Sequence, residues 1–454
     1  MPTTQRPSPL LARPDDSALL LRPATPLQAG MYFHNVAHMG AGVDVEHVIM
    51  TAEESLDLDR FFAAWTDVLS AHPELCAIVR LVDGRPWIVA NSAEPFSVEQ
   101  HDLRTSTNAD EESQRIYDAD RARGFDLAAG PLMRFTTVRT SETQTTILWS
   151  FHHLLLDGRS FPLVLERVLA HYNGDAELAP AKATMGDYAN ALAAIDHTDA
   201  KGIWAQKLAG LDGPSSIPST ISPDASGVLA LEERLGAEVS ACVRALAAAS
   251  SVSVHNVIQA AWALLVHHHS QKSSVVFGST RAGRHVVDDA DDAIGLFILT
   301  VPFRVEFDQD LTTAQLLANV RDEQRALRSL ETVPLDQIQQ ASGFGATPLF
   351  DSLVMFDDAT LNNRMAQRLG GRSSAWRFDY VGQTNFPLTL LAYGEDDIIL
   401  RLEHDTARYD TESATAIISR LKNLLTSMVS EPDEPAVTLP YLCLLYTSPS
   451  PRDS

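Results

Sequence analysis

The chain has 454 residues, of which 45% are hydrophobic and 21% charged, which is the composition of a folded protein rather than a disordered one. A single core is uncommon at this length, so two lobes are expected. The net charge of −24 disfavours nucleic acid or an anionic membrane surface as a partner. Cys76, Cys242 and Cys443 are widely spaced and odd in number, which argues against a disulfide framework and favours a cytoplasmic location.

The first half of the chain alternates predicted helices and strands. Residues 1–20 carry prolines and charges where a signal peptide needs an apolar stretch, so they are predicted to be a flexible lead-in. Apolar spacing predicts helices over 27–35 and 57–71, and a β-rich run predicts a strand over 145–151. A further amphipathic helix follows, for which Ser160 is the expected N-cap.

The segment WSFHHLLLDGRSF (149–161) lies between that strand and that helix and carries the chemistry. One of the two imidazoles on such a loop can act as an acid or base. Asp157 is expected to brace the turn, and the amide of Gly158, near the helix start, can stabilise an oxyanion. These residues indicate an acyl-transfer site. The alternative is a loop that only satisfies its own polar groups.

The second half begins with a segment rich in proline, serine and glycine, 213–227, which is predicted to cross between lobes. No run of about 18 apolar residues predicts a membrane helix anywhere in the chain. The predicted elements that follow the crossover are helices over 239–249 and 254–269, strands over 273–278 and 294–304, and a final helix over 411–429.

Two groups of polar residues in this half resemble metal sites, but neither is predicted to bind a metal. Three consecutive histidines, 267–269, lie near a helix end, and their side chains point about 100° apart, so they do not converge. The aspartates of 288–292 lack the spacing and the glycine of a calcium loop. No nucleotide-binding glycine motif is present either.

Seven motifs occur in a fixed order, and together they resemble the condensation domains of nonribosomal peptide synthetases over residues 20–442. The pattern HHxxxDG alone also occurs in other acyltransferases, so the order of all seven matters. The matching segments are 25–34 (TPLQAGMYFH), 152–158 (HHLLLDG), 186–188 (GDY), 277–284 (FGSTRAGR), 294–304 (IGLFILTVPFR), 334–335 (PL) and 348–353 (PLFDSL).

The resemblance implies an α/β fold of two chloramphenicol-acetyltransferase-like lobes, each an α+β two-layer structure. These would form a V-shaped pseudo-dimer with a central tunnel. The lobes are predicted at 21–212 and 228–434, with the start of an exit linker at 435–442. Residues 443–454 resemble one reading frame of a sequencing-library adapter, so the native chain is expected to continue past Leu442.

The implied activity is amide-bond formation between a carrier-bound acyl or peptidyl thioester and a carrier-bound aminoacyl acceptor. The domain itself would bind no cofactor and no metal, since the 4′-phosphopantetheine arms belong to the carriers. The donor carrier would arrive from an upstream protein, docking on residues 1–20 if Met1 is the true start. The acceptor carrier and an adenylation domain would follow residue 442. Nucleic acid and membrane are not expected partners.

The resemblance also assigns roles to individual residues. His153 would be the base or positioner, His152 would orient the loop, Asp157 would be a structural brace and Gly158 a backbone oxyanion donor. Residues expected to support the tunnel floor are Gln28, Ser279, Thr280, Gly295, Phe297 and Thr300.

This sequence departs from the family pattern at several positions. Ala71 and Cys76 stand where two arginines are usual, and Leu299 stands where an asparagine is usual. A buried Asp157 needs a cationic or multiply hydrogen-bonded partner, and Arg284 is the candidate replacement from its position in the 277–284 motif.

Two rival functions remain open at this point. One is a stand-alone acyltransferase that makes an ester or amide from acyl-CoA or one carrier. The other is an inactive condensation-like domain that recruits partner proteins. If the chain is a condensation domain, a donor of D configuration is favoured, whereas heterocyclisation and epimerisation are disfavoured by the two histidines and by the 294–304 motif.

Overall fold

The protein was analysed as a computed structural model. Most of the predicted lead-in, part of the predicted crossover and the whole of 443–454 lie outside the described residues. The residues that the structure describes are 20–38, 42, 44–89, 96–175, 182–220, 227–345, 347–370 and 375–442.

The described residues form a mixed α/β structure, which confirms the predicted class. The strands, numbered in chain order, are β1 Leu20–Pro23, β2 Val45–Ala52, β3 Ile78–Val82, β4 Arg85–Val89, β5 Ser97–Asp102, β6 Met133–Arg139, β7 Thr145–His152, β8 Val228–Arg234, β9 Ser274–Ala282, β10 Ile298–Glu306, β11 Ser352–Asp357, β12 Trp376–Val381, β13 Leu388–Tyr393 and β14 Ile399–Asp405. The helices are α1 Pro26–Ala37, α2 Leu58–Ser70, α3 Ala109–Arg123, α4 Ser160–Asn173, α5 Met185–Ala194, α6 Thr198–Lys207, α7 Ala237–Ala249, α8 Val254–Ser270, α9 Thr313–Ala326, α10 Leu335–Ala341, α11 Leu361–Leu369 and α12 Thr411–Ser430.

The chain divides into two compact units whose bounds differ from the predicted lobes. The first unit contains the described residues up to Ile195 together with Ala282–Ile298 and Leu361–Asn385, and the second contains the remainder. The division after Ile195 precedes the predicted 213–227 crossover. A turn-rich composition marks where the chain lacks regular structure, but it does not reveal that two later segments return to the first unit.

The first unit is built on a five-stranded sheet of order β12-β2-β7-β6-β5, with a smaller sheet of order β1-β4-β3. Strand β7 pairs antiparallel with β2 and β6 and is buried along almost its whole length. Helix α2 begins after its N-cap Asp57 and buries a stripe of apolar side chains. Trp65 from this stripe packs on Trp149 of β7 with ring centroids 4.6 Å apart. This core holds the end of β7 in place.

The second unit is built on a six-stranded sheet of order β10-β9-β11-β13-β14-β8. Its central helix, α8, begins with a capping box between Ser253 and Asn256, which satisfies the first backbone N–H groups. From Val257 to Val266 every residue of α8 is buried. Within the described residues, no single helix could cross a membrane, although α7 and α8 together, bent by 102°, pass by length and composition alone.

The predicted helices agree with α1, α2, α4, α7, α8 and α12 to within a few residues, but two details were wrong. Helix α4 begins at Ser160, Arg159 occupies the cap position, and neither caps through its side chain. The N–H of Ser160 instead donates to the Asp157 carboxylate at 2.8 Å. Strand β10 begins at Ile298 rather than at 294, because Gly295, at φ +153°, is held by the histidine loop.

Candidate active site

The two histidines lie at the end of β7 and the start of the loop that leads to α4. The backbone N–H of His153 donates to the carbonyl of Asp44 at 2.8 Å, one step beyond the regular β2–β7 pairing. Asp44 adopts a left-handed conformation with φ +55°, which ends the strand pairing there. The histidine loop is therefore fixed by main-chain bonds before any side chain acts.

His152 is fully buried and serves the loop rather than a ligand. Its Nδ1 accepts a hydrogen bond from the N–H of Leu154 at 3.1 Å, and its Nε2 lies 3.4 Å from the side-chain amide of Asn35. Burial lowers the pKa of His152 to about 4, so the ring is neutral at physiological pH. Both ring nitrogens face protein groups, as expected of an orienting residue.

His153 is held differently, with one nitrogen engaged and the other available. Its side chain is only partly buried, and Nδ1–H donates to the carbonyl of Leu156 at 2.8 Å. In the neutral ring this bond places the proton on Nδ1 and the lone pair on Nε2. Among the residues that the structure describes, Nε2 has no hydrogen-bond partner. This nitrogen can therefore take a proton from a substrate.

Two carboxylates near His153 were missed in the sequence. Burial alone would lower the pKa of His153, but the charges of Glu46 and Asp44, together with the Leu156 bond, outweigh it and raise the pKa. Glu46 is buried in β2, which raises its own pKa, whereas His153 and a hydrogen bond from the hydroxyl of Tyr380 favour its charged form. The available signal was an acidic residue within a strand that is otherwise largely apolar.

Asp157 is 2% exposed, and its carboxylate ties the loop together. Its Oδ1 accepts from the backbone N–H groups of Ser160 at 2.8 Å and Arg159 at 3.2 Å. Its Oδ2 accepts from the N–H of Phe297 at 2.9 Å. Arg284 Nη2 donates to Oδ1 at 3.1 Å, so the cation expected from the sequence lies against this carboxylate.

Arg284 also holds the segment from Ala282 to Ile298 in shape. Its Nη1 donates to the carbonyls of Ala290 and Ala293 at 2.9 and 2.6 Å. Its guanidinium lies over the ring of Phe297 at 4.3 Å from the centroid. Both Nη1 and Nη2 thus donate to buried acceptors or to the Asp157 loop, which offsets the cost of burying the charge.

Ser160 and Gly295 complete this buried junction. The Ser160 hydroxyl donates to the carbonyl of Gly295 at 2.7 Å and accepts from its N–H at 3.1 Å. The same hydroxyl accepts from Arg284 at 2.7 Å, and the N–H of Asp157 donates to the Gly295 carbonyl at 3.0 Å. Ser160 was expected only as a cap, and sequence spacing gave no sign of its partner 135 residues away.

Gly158 presents an open backbone in the loop between the histidines and α4. A Cβ built at this position would meet nothing within 4 Å. Its carbonyl accepts a hydrogen bond from Arg364 at 3.2 Å, whereas its N–H makes no hydrogen bond to the described residues. The amide is therefore available to an approaching oxyanion.

The residues expected to support a floor fall in different units. Gln28 is in the first unit, where its Nε2 donates to the carbonyl of Leu154 at 3.0 Å, so it braces the histidine loop. Ser279 and Thr280 lie in β9 and Thr300 lies in β10, all in the second unit. Ser279 is fully buried and accepts from Gln259 at 3.0 Å. Their role in a floor stays a prediction.

The positions that depart from the family pattern have identifiable surroundings. Ala71 is the exposed C-cap of α2, and Cys76 ends a short 3-10 helix. Cys76 carries a free thiol whose pKa is raised to about 11 by burial. Leu299 lies partly buried in β10. The cationic charge near Asp157 comes from Arg284, not from either of the positions where arginines are usual.

The histidines of 267–269 have separate environments. His267 Nδ1 lies 2.7 Å from the carbonyl of Lys272, His268 stacks on Tyr441, and His269 lies 3.1 Å from Arg420. Within the part of the chain that the structure describes, no group of three or more potential ligands could hold a metal ion.

Replacing Gly295 with alanine is expected to destabilise the first unit by about 1–3 kcal/mol. The new Cβ would lie 2.0 Å from Cγ of Met185, at a backbone conformation that favours glycine. Denaturant unfolding checks the result. The matched control is Gly30→Ala in α1, where a Cβ meets nothing and helix propensity should leave stability unchanged or improved. Equal stability of both variants would contradict the tight packing around Gly295.

The family model described as the condensation domain matches residues 21–442. The chain is 32% identical over 434 residues to a linear gramicidin synthase of Brevibacillus parabrevis, covering 90% of this chain but 8% of that protein. It is 30% identical over 419 residues to chondramide synthase cmdD of Chondromyces crocatus, covering 89% of this chain and 10% of that one. The chain thus spans a small part of these relatives.

Solved structures show the same fold. A four-domain nonribosomal peptide synthetase bound to AMP and glycine aligns with a TM-score of 0.80 at 18% identity, over 94% of this chain and 34% of that one. The first condensation domain of the calcium-dependent antibiotic synthetase, in complex with a substrate analogue, aligns with a TM-score of 0.77 at 17% identity, over 92% of this chain and 100% of that one. These likenesses support the two-lobed fold.

Proposed function

This chain belongs to the condensation domain family, and from that premise we propose that it joins a carrier-bound acyl or peptidyl thioester to a carrier-bound aminoacyl group. The family match over 21–442 and the similarity to peptide synthetases support this activity. The observation that carries the proposal is the state of His153. Its Nδ1 is fixed by the Leu156 carbonyl, and its Nε2 has no partner among the described residues.

The proposed reaction exchanges a C–S bond for a C–N bond and moves one proton through His153. The acceptor amine attacks the thioester carbonyl, the C–N bond forms, and negative charge develops on the carbonyl oxygen. Nε2 of His153 takes the proton that leaves the nitrogen. When the C–S bond breaks, the imidazolium returns this proton to the thiolate, so an amide and a free thiol result. The histidine ends as it began.

The surrounding residues supply charge and position for this step. The N–H of Gly158 is the proposed donor to the oxyanion, since it lies beside an open space and near the start of α4. Glu46 and Asp44 favour the imidazolium that forms on His153. Asp157, Arg284 and Ser160 keep the loop in one conformation without contacting substrate. Much of the remaining rate enhancement would come from holding both substrates together.

The partners follow from this chemistry. We propose that the phosphopantetheine arms of an upstream donor carrier and a downstream acceptor carrier deliver the substrates to His153. An adenylation domain following this domain and a cytoplasmic location stay predictions of the same kind. The arms stay attached to their carriers throughout, because the step breaks only the thioester bond. The proposed step forms no bond between substrate and this chain.

A reconstituted assay tests the proposal. The chain is mixed with one carrier loaded with an aminoacyl or acyl thioester and a second loaded with an aminoacyl thioester. Mass analysis of the second carrier should show the dipeptidyl product, or the N-acyl aminoacyl product where the donor is an acyl group. Product from acyl-CoA and a free alcohol or amine instead would favour a stand-alone acyltransferase. Carrier binding without any product would favour the recruiting domain.

Replacing Glu46 with glutamine should move the acidic limb of the pH–rate profile to lower pH. The Glu46 charge raises the pKa of His153, and its removal lowers that pKa. Since the base must be neutral before it accepts a proton, activity then persists to a lower pH. The rate on the plateau should fall by less than the about 10²-fold loss of a general base.

The matched control is Glu142→Gln, because Glu142 is a surface residue with its side chain 76% exposed. Its pH–rate profile should superimpose on that of the unmodified chain. The charges of Asp44 and Asp157 also raise the pKa of His153, and both residues are unchanged in the two variants. A Glu46→Gln profile identical to the parent would show that Glu46 does not set the base strength.

A further inference from the structure

A cavity of about 450 Å³ in the second unit has an unusual lining for a chain of net charge −24. Four of its nine lining residues are arginines, and none of the nine is acidic. All nine belong to the second unit, so the cavity is separate from the histidine loop. Its lining residues are Ser251, Val252, Ser253, Asn256, Arg281, Arg321, Gln324, Arg325 and Arg328.

Two of the arginines share one buried carboxylate. Arg281 Nε donates to Oε2 of Glu331 at 2.7 Å, and Arg328 Nη1 donates to Oε1 at 3.1 Å. The Glu331 side chain is 0% exposed, and that of Arg281 is 8% exposed. Arg281 also donates to the carbonyl of Gln324 at 3.2 Å. The positive charge of Arg281 is therefore fixed in the wall of the cavity. Arg328 shares the same carboxylate, so Glu331 neutralises its charge only in part.

The other two arginines share one surface carboxylate. Arg321 Nε lies 2.9 Å from Oδ1 of Asp322, and Arg325 Nη1 lies 3.7 Å from the same oxygen. In the ion pairs of the described residues, these four guanidiniums share two carboxylates, so the lining carries an excess of positive charge. Arg325 and Arg328 have side chains that are 71% and 55% exposed, so they can turn towards a ligand at little cost.

The opposite wall is polar, although the side chains of Ser253 and Asn256 bond to each other and to Gln324. It is formed by the turn before α8 and the first turn of that helix, where Ser251, Ser253 and Asn256 line the cavity. The N-terminal end of a helix carries partial positive charge. The side chain of Asn256 donates to Gln324 of α9, and this bond joins the two walls. The cavity is consequently held in shape without a ligand.

We propose that this arginine cavity binds a phosphate-bearing ligand, either a phosphate monoester or a diphosphate. A phosphate monoester or a diphosphate, each able to carry two negative charges, complements this excess of positive charge, and guanidinium forks are donors that such groups take. The ligand has two possible sources, which are a free compound with a terminal phosphate monoester and a free diphosphate compound. The site does not depend on amide-bond formation, since its residues are distinct from those around His153.

Calorimetric titration of the whole chain tests the site with three probes: inorganic diphosphate, 4′-phosphopantetheine and pantetheine without its phosphate. We expect at least one phosphate probe to bind and pantetheine not to do so at this site. The double variant R325Q/R328Q should weaken phosphate binding at least tenfold, and added salt should weaken it in the parent. Tighter binding of phosphopantetheine than of diphosphate would assign the site to a phosphate monoester, and the reverse would assign it to a diphosphate.

The matched control is Arg115→Gln, because Arg115 is 69% exposed on α3 of the first unit. It should bind the phosphate probes as the parent does. The same titration of the His153→Ala chain should also match the parent, which separates failure of this site from failure of the condensation chemistry. Melting temperatures establish that the variants are folded, and R325Q alone serves if the double variant is not. Absence of binding by both phosphate probes, or binding that R325Q/R328Q leaves unchanged, would overturn the proposal.

Discussion

Replacing His153 with alanine is expected to slow dipeptide formation by about 10²–10⁴-fold, the usual contribution of a positioned general base. The variant loses Nε2, and with it the only group proposed to accept the proton from the amine. The bond from Nδ1–H to the Leu156 carbonyl is also lost, so the loop is slightly destabilised. Single-turnover transfer between loaded carriers measures the rate of the step itself.

The control for this variant is His101→Ala. His101 is a partly exposed histidine of β5 that lies 3.0 Å from Glu99, away from the histidine loop. Its removal should leave the rate unchanged. Carrier binding by the His153→Ala chain should also persist, because the loss concerns the chemical step. A rate for His153→Ala equal to that of the control would remove the general-base role and favour a domain that works by positioning or recruitment alone.

Replacing Asp157 with alanine should cost the first unit about 3–5 kcal/mol of unfolding free energy. The change leaves the buried guanidinium of Arg284 without its carboxylate and leaves the N–H of Phe297 without an acceptor. Replacing both partners, Asp157→Ala with Arg284→Met, should be less harmful than the sum of the single changes, because no unpaired charge remains. Denaturant titration of the single and double variants measures this coupling.

The contrast comes from Asp291→Ala. Asp291 is also an aspartate paired with an arginine, lying 3.0 Å from Arg159, but its side chain is 86% exposed. Exposed pairs of this kind contribute about 0–1 kcal/mol. If Asp157→Ala and Asp291→Ala were equally mild, the buried junction would not hold the histidine loop. An additive double variant would likewise contradict direct coupling of Asp157 with Arg284.

The local sequence was sufficient for the elements that depend on local signals. The histidine loop, α2, α8 and α12 follow from apolar spacing, capping residues and the HHxxxDG pattern, since these act within a few residues of one another. The pairing of Asp157 with Arg284 was predictable because a buried carboxylate needs a cation to neutralise it. That inference needed the order of the motifs as well as electrostatics.

What the sequence concealed are the contacts between distant segments. Glu46 acts on His153 only because β2 lies beside β7, and Ser160 meets Gly295 only because residues 282–298 return to the first unit. The start of the strand predicted at 294–304 was wrong for the same reason. Residues 294–297 are apolar, as in a strand. Their backbone groups, however, form hydrogen bonds with the histidine loop and with Ser160 instead of with a neighbouring strand.

The return of two late segments to the first unit has a consequence for biosynthesis. Ribosomes release the histidine loop long before they release Arg284, and they release β12, the edge strand that pairs with β2, later still. Until then, Asp157 lacks its cation and one border of the sheet lacks its neighbour. A nascent chain halted near residue 212 would therefore hold both histidines yet lack a finished active centre, and maturation of this half must wait for nearly the entire domain to emerge.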